Sequence, residues 1–152
     1  MAESTIPRVL LPMVQERLGY TDDEMARFAA DPRNARVLAK AAEMREKTFV
    51  FEVVDSRGCN SQHLEGTRLY FSGDGNLITK WAPKRVCAFL LPVCTQMIFA
   101  LQELWYAGVD PNEACFRRGG CFDVGIACGG WGHVVIEGRL VGREEARALV
   151  DG

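Results

Sequence analysis

The segment TFVFEVVD, residues 48–55, marks a change in the periodicity of this sequence. Its aromatic and β-branched residues are typical of a strand, and the turn-forming residues SRGCN follow directly. Before the segment, apolar residues recur at helical spacing, which predicts helices rather than strands. The sequence therefore predicts an α+β protein in which a helical part precedes a sheet.

The residues on the N-terminal side predict a helical arm over residues 1–47. A first amphipathic stretch ends at Gly19, which acts as a helix stop signal. The sequence TDDE, residues 21–24, is a capping box and predicts the start of a second helix. Asp31 and Pro32 predict a third helix, with Asp31 as its N-cap and Pro32 in its first turn. We expect this arm to pack on the rest of the chain or on a partner, which would be a larger enzyme subunit or a second copy of the chain.

The residues on the C-terminal side, 48–152, predict a second domain with a small antiparallel sheet packed on one long helix. Residues 67–71 and 77–81 are expected to form a β-hairpin around the turn SGDGN. The apolar stretch VCAFLLPVCTQMIFAL, residues 86–101, belongs to a predicted long buried helix that runs from about Val86 or Leu91 to Tyr106. A loop rich in glycine and cysteine is expected over residues 119–132, and residues 133–141 predict the last strand.

The composition narrows the function classes. The chain has 152 residues and a net charge of -2, and its lysines and arginines are scattered, so we expect no nucleic-acid partner. Its longest apolar stretch is broken by Pro92 and Gln96 and is shorter than the ~20 residues of a membrane span, so we expect no membrane insertion. A cytoplasmic location is the resulting expectation, and there the cysteines would stay reduced.

The cysteines are the main candidates for chemistry, although the chain has no CxxC motif. Cys59 and His63 lie four positions apart in a turn-forming stretch, which suits a metal site or a catalytic pair. Cys87 and Cys94 would stand about 10 Å apart on one helix, so both cannot bind one ion. We expect Cys87 just before the helix, as the candidate ligand, and Cys94 inside it as a buried residue.

The glycine-rich loop supplies the remaining candidates. Cys121 and Cys128 flank Asp123 there, and a loop of this kind lets the backbone approach a ligand closely. His133 opens the last strand, on the strand face opposite Val134, and we interpret it as a half-exposed surface residue.

These motifs, in this order, resemble a family of small prokaryotic proteins of unknown function. The family pattern is a strand, G-C-x-x-x-H-x-x-G, a hairpin, an I/V-C motif before a long apolar helix, C-x-D, and a glycine-rich turn before a last strand. The resemblance covers roughly 90 residues and implies architecture rather than activity. Its matching positions here are Gly58-Cys59, His63, Gly66, Val86-Cys87, Cys121-Phe122-Asp123 and Gly129-Gly130-Trp131-Gly132.

Two hypotheses for the site remain open. In the first, Cys59, His63, Cys87 and Cys121 converge to hold zinc or an iron–sulfur cluster, with Cys128 as a reserve ligand. In the second, the protein is a thiol enzyme with Cys59 as nucleophile, His63 as base and Asp123 as the orienting carboxylate. The leading hypothesis is a metal-binding protein that acts as an accessory protein or subunit of a larger enzyme system. Whether the chain is itself an enzyme is left open between the two hypotheses.

Overall fold

The computed structural model describes residues 6–152. The chain divides into two compact units, one that ends at Met44 and one formed by Arg45–Gly152. The secondary structure confirms an α+β protein with a helical N-terminal arm.

The first unit contains three consecutive helices. The predicted capping box is present, because the Thr21 hydroxyl accepts the backbone N–H of Glu24 and the Glu24 carboxylate accepts that of Thr21. Gly19 ends the first helix with a left-handed backbone, as its position predicts. The backbone N–H of Arg33 donates to the side chain of Asp31, which caps the third helix. The helices are α1 (Leu10–Leu18), α2 (Asp22–Ala30) and α3 (Pro32–Arg45).

The second unit is built on a four-stranded antiparallel sheet. Its strand order is β2-β1-β4-β3, so the two longest strands pair in the centre. The long helix α4 separates the second and third strands in sequence, and α5 ends the chain. The elements are β1 (Lys47–Arg57), β2 (Arg68–Ser72), α4 (Leu91–Ala107), β3 (Arg118–Gly120), β4 (His133–Gly142) and α5 (Arg143–Asp151).

Helix α4 lies against one face of this sheet. A β-carbon on Gly138 would lie 2.7 Å from the Phe51 ring and 2.9 Å from the Met97 side chain, so the absence of a side chain at Gly138 lets sheet and helix approach. Phe51 and Leu101 are buried in the resulting core. The opposite face has its own cluster, in which Tyr70 packs edge-on against Trp81.

Two local predictions were wrong. Residues 77–81 do not form a returning strand: after one bridge between Phe71 and Leu77, the chain enters a 3-10 turn at Thr79–Trp81. That turn allows Trp81 to pack on Tyr70. The glycine-rich loop is also not entirely a loop, because Arg118–Gly120 forms an edge strand against β4. Such a short strand gains its stability from pairing rather than from its own sequence.

Two other expectations concern the whole described chain. All six cysteines are free thiols in this structure. Among residues 6–152, none of the helices combines the length and apolarity that a bilayer crossing would require.

Candidate functional site

A cavity of about 270 Å³ lies where β1 ends and β4 begins. Its lining includes three cysteine thiols and both histidines of the chain. The four predicted donor residues come from three separate segments, because Cys59 and His63 share one turn, and all four line this cavity. The lining residues whose side chains could bind a metal or take part in catalysis are Cys59, His63, Cys87, Cys121, Asp123 and His133.

Two glycines bring the segments around Cys59 and His133 into contact. A β-carbon on Gly132 would lie 2.4 Å from the Gly58 carbonyl oxygen, and one on Gly58 would lie 2.9 Å from that of Trp131. Both distances are shorter than real β-carbon contacts, so the two backbones approach as only glycine permits. Cys59 and His133, the next residues in each segment, are thereby held at the same cavity.

His63 is buried and connects the Cys59 turn to the segment before α4. The backbone N–H of Cys87 donates to His63 Nε2 over 3.2 Å, which assigns the ring proton to Nδ1 in the neutral form. Burial lowers the pKa of His63 and so favours that neutral form. Gln62 supports the turn with a left-handed backbone and donates its side-chain amide to the Cys59 carbonyl. His63 therefore fixes the position of Cys87.

Cys121 is oriented by the neighbouring strand. Its backbone N–H donates to the Val134 carbonyl over 2.9 Å, and the Val134 N–H donates to the Cys121 sulfur over 3.3 Å. Hydrogen bonds from the backbone to sulfur are among the contacts that tune metal-bound thiolates. This sulfur thus has a fixed direction and a supporting donor.

Asp123 organises the glycine-rich loop. Its carboxylate accepts backbone N–H groups from Gly132 at 2.9 Å, Trp131 at 3.0 Å and Gly125 at 3.1 Å. These bonds, that from Gly132 foremost, lower the pKa of Asp123. Within the described residues this carboxylate makes no hydrogen bond to His63, its predicted partner in a thiol triad. Its hydrogen bonds hold the loop around the cavity instead.

The sequence interpretation missed the pairing of His133 with Asp55. His133 Nε2 lies 2.7 Å from Asp55 Oδ2, and both side chains are partly exposed. A β-bulge in β1 makes this possible, because the pairing register shifts between Val53 and Asp55. Without that extra residue, Asp55 would lie opposite Val134 and point to the other face of the sheet. Side-chain alternation in the sequence gives no sign of the bulge.

The other three cysteines lie outside the cavity lining. Cys94 is inside α4 and fully buried, as predicted, and burial raises the pKa of its thiol to about 12. Cys128, the predicted reserve ligand, is exposed in the 3-10 turn Ile126–Cys128, and Cys115 is exposed as well. Cys87 precedes α4 by a few residues, which agrees with the expectation that Pro92 lies in the first helical turn.

The candidate metal donors line the same cavity but do not converge on one point. Within residues 6–152, no three histidine, cysteine, aspartate or glutamate side chains are close enough together to hold one metal ion. A mononuclear zinc site would need four donor atoms within about 2.0–2.3 Å of the metal. The cavity therefore collects the predicted residues at a wider spacing than a single ion requires.

The mouth of the cavity is apolar. Phe89, Phe122 and Trp131 are large and exposed, with Trp131 at 84%. Two of them, Phe89 and Trp131, line both the thiol cavity and an adjoining groove of about 580 Å³. The thiols thus open toward an aromatic surface.

Comparison with models of known protein families, with curated proteins and with solved structures finds no match to this chain. The family resemblance described above therefore stays a prediction.

Proposed function

We propose that this protein binds a thiophilic metal centre through the thiolates of Cys59, Cys87 and Cys121. The observation that supports the proposal is their common cavity, since three separate segments each contribute one sulfur. Thiolates are soft ligands that favour zinc and iron–sulfur clusters over hard cations such as magnesium. The other three cysteines do not line the cavity, because Cys115 and Cys128 are exposed elsewhere and Cys94 is in the core. The cavity therefore has a defined set of three thiols.

Of the two candidates, an iron–sulfur cluster is the better match to the spacing. A single zinc ion needs its donors around one point, and the described side chains offer no group of three at that spacing. A cluster distributes its protein ligands over several iron atoms, so the sulfurs can stand further apart. The hydrogen bond from Val134 N–H to the Cys121 sulfur is of the kind that adjusts cluster potentials.

The test is metal and sulfide analysis after anaerobic purification. We expect iron and acid-labile sulfide in equal amounts, with visible absorption that bleaches on reduction. Cys59→Ser, Cys87→Ser and Cys121→Ser should each lower the bound iron severalfold, whereas Cys115→Ser and Cys128→Ser, as matched controls outside the cavity, should not. Bound zinc in place of iron would support a metal site formed by the three thiols but would reject the iron–sulfur cluster. Iron content unaffected by all three cavity substitutions would reject the site.

A second candidate function is a thiol enzyme that uses Cys59 as its nucleophile. The observation that favours it is the presence of two histidines in the cavity that Cys59 lines. An activated thiolate reacts with iodoacetamide faster than ordinary thiols, whereas a metal-bound thiolate is shielded. If Cys59 is alkylated first among the six cysteines in folded, metal-free protein, and Cys59→Ser retains both metal and stability, the enzyme replaces the metal centre as our proposal.

We also propose that the helical arm mediates the accessory role. Helix α1 has no buried residue in the described chain, and Met13 and Leu18 are among its exposed apolar side chains. Exposed apolar surface of this kind is typical of a contact with another subunit. Light scattering at rising concentration, for wild type and for Met13→Glu, distinguishes the partners. A dimer that the substitution dissociates identifies a second copy, and a monomer throughout leaves a larger enzyme as the partner.

A further inference from the structure

We propose that His133, oriented by Asp55, is the imidazole ligand of the thiol cavity, and that His63 acts as a positioning residue for Cys87. This inference rests on the proposed metal centre and names its nitrogen donor. It replaces His63 with His133 in the ligand set that the sequence predicts, so the set becomes Cys59, Cys87, Cys121 and His133.

The first argument is the use of the ring nitrogens of His63. Its Nε2 accepts the backbone N–H of Cys87 at 3.2 Å, so the lone pair on that nitrogen is already engaged. The neutral ring then carries its proton on Nδ1 and has no second lone pair to offer a metal. For His63 to bind a metal through Nε2, the N–H of Cys87 would lose its partner in a partly buried setting, which is costly.

The second argument is the complementary state of His133. An ionised carboxylate can only accept hydrogen bonds, so the 2.7 Å contact with Asp55 places the ring proton on Nε2. In the neutral ring, Nδ1 is then the nitrogen with a free lone pair. A carboxylate that holds the second nitrogen of a histidine is the usual outer partner of a metal-binding imidazole, because it fixes the tautomer and raises the basicity of the ligand.

The third argument is that no hydrogen-bond donor and no side chain of the described residues occupies Nδ1. The backbone of Gly125 passes close beside this atom, since a β-carbon on Gly125 would lie 3.4 Å from it. Gly125 also has a φ of +75°, which disfavours any other residue, so no side chain projects toward Nδ1 from position 125. Among residues 6–152, Nδ1 of His133 makes no hydrogen bond, while its ring lines the cavity shared with the three thiols. The β-bulge that turns Asp55 toward His133 thus fixes the orientation of this ring.

The chemistry of the proposed set is that of a cluster with mixed ligands. Histidine substitutes for cysteine on iron in some clusters and raises their reduction potential, because a neutral imidazole replaces an anionic thiolate. A set of three cysteines and one histidine therefore predicts a potential higher than that of the same cluster with four thiolates. This property gives a readout that a purely structural histidine would not affect.

The experiment uses full-length protein reconstituted anaerobically with iron and sulfide. Pulsed electron paramagnetic resonance of the reduced cluster should show nitrogen coupling from an imidazole in wild type. His133→Cys should keep the iron, lose that coupling and shift the reduction potential to a lower value. His63→Gln, whose amide oxygen can accept the Cys87 N–H, should retain both the coupling and the potential. Asp55→Asn should keep the coupling but shift the potential, because the outer carboxylate is lost.

The outcomes separate the two proposals. In one outcome, bound iron depends on Cys59, Cys87 and Cys121, but the nitrogen coupling disappears in His63→Gln and persists in His133→Cys. That result overturns only the assignment of His133 as the ligand. A wild-type cluster without nitrogen coupling also overturns that assignment and leaves the metal centre in place. A wild-type protein that takes up neither iron nor zinc removes the metal centre and this inference together. Thermal melting of the metal-free variants shows whether a variant that lacks the cluster is still folded.

Discussion

The carbonyl oxygen of Gly58 lies 2.4 Å from the place that a β-carbon on Gly132 would occupy. This contact joins the end of β1 to the turn before β4 and thereby brings two walls of the thiol cavity together. The neighbouring atoms are backbone, which cannot move aside as a flexible side chain can. The geometry of the site therefore depends on a residue that has no functional group.

We expect Gly132→Ala to lower the free energy of unfolding by about 1–3 kcal/mol, the usual cost of overpacking. The added methyl group must separate the two backbones, so the cavity thiols should also become more reactive toward alkylation. Urea denaturation of metal-free protein measures the first effect. Gly120→Ala is the matched control, because its β-carbon would meet only a carbonyl oxygen at an ordinary 3.9 Å. Equal losses in the two variants would contradict this account.

The pKa of Asp123 predicts an acid limb in the stability profile. Backbone hydrogen bonds lower that pKa below the ordinary 3.8, so the folded chain binds fewer protons there than the unfolded chain. The stabilisation is complete above 3.8 and is lost as the pH falls through the lowered folded value. Asp123→Asn should melt at a lower temperature at neutral pH and show a smaller decline on acidification. Circular dichroism melting across this range provides the measurement, and parallel pH profiles would refute the prediction.

The pKa of His63 predicts a second pH effect in metal-free protein. Burial lowers this pKa, so as the pH falls below the ordinary 6.5 the unfolded chain gains a proton that the folded chain does not take up. Stability should therefore decrease between 6.5 and the lower folded value, and it should be unaffected above 6.5. His63→Gln should remove this part of the pH dependence while it keeps an acceptor for Cys87. Urea midpoints measured on both sides of 6.5 test the prediction, which fails if the two proteins respond alike.

The burial of Cys94 predicts an order of alkylation. Its thiol is fully buried, and the pKa raised to about 12 leaves almost no thiolate at neutral pH. In folded protein, iodoacetamide should modify the exposed Cys115 while Cys94 remains unmodified. Cys94 should react only when the chain unfolds, as mass spectrometry of a urea series can show. Early modification of Cys94 under native conditions would mean that α4 opens locally.

The outcome at residues 77–81 shows why some local predictions fail. Composition and the preceding turn favour a strand, yet the chain leaves the sheet after Leu77 and Trp81 packs on Tyr70 instead. A preference for strand is weak compared with the burial of a large aromatic ring, so tertiary packing decides such a segment. The edge strand Arg118–Gly120 went unpredicted for the related reason that its strand character comes from β4.

The sequence by itself determined the features that depend on neighbouring residues. The capping box at Thr21, the stop at Gly19 and the change of period at β1 act within a few residues, so they predicted the helical arm and the α+β class. Helical spacing likewise placed Cys94 in the core, and the expected position of Pro92 in the first helical turn placed Cys87 before α4. These inferences need no knowledge of distant contacts.

Only the tertiary structure decided which histidine faces which partner. Asp55 and His133 are 78 positions apart, and they meet because a bulge shifts the register of β1 against β4 by one residue. A one-residue shift moves every later side chain to the other face of a strand, and alternation in a single strand cannot reveal it. Other long-range contacts bring His63 to the N–H of Cys87 and the thiols to one cavity. Local spacing could nominate these residues, but only tertiary contacts decided which of them meet.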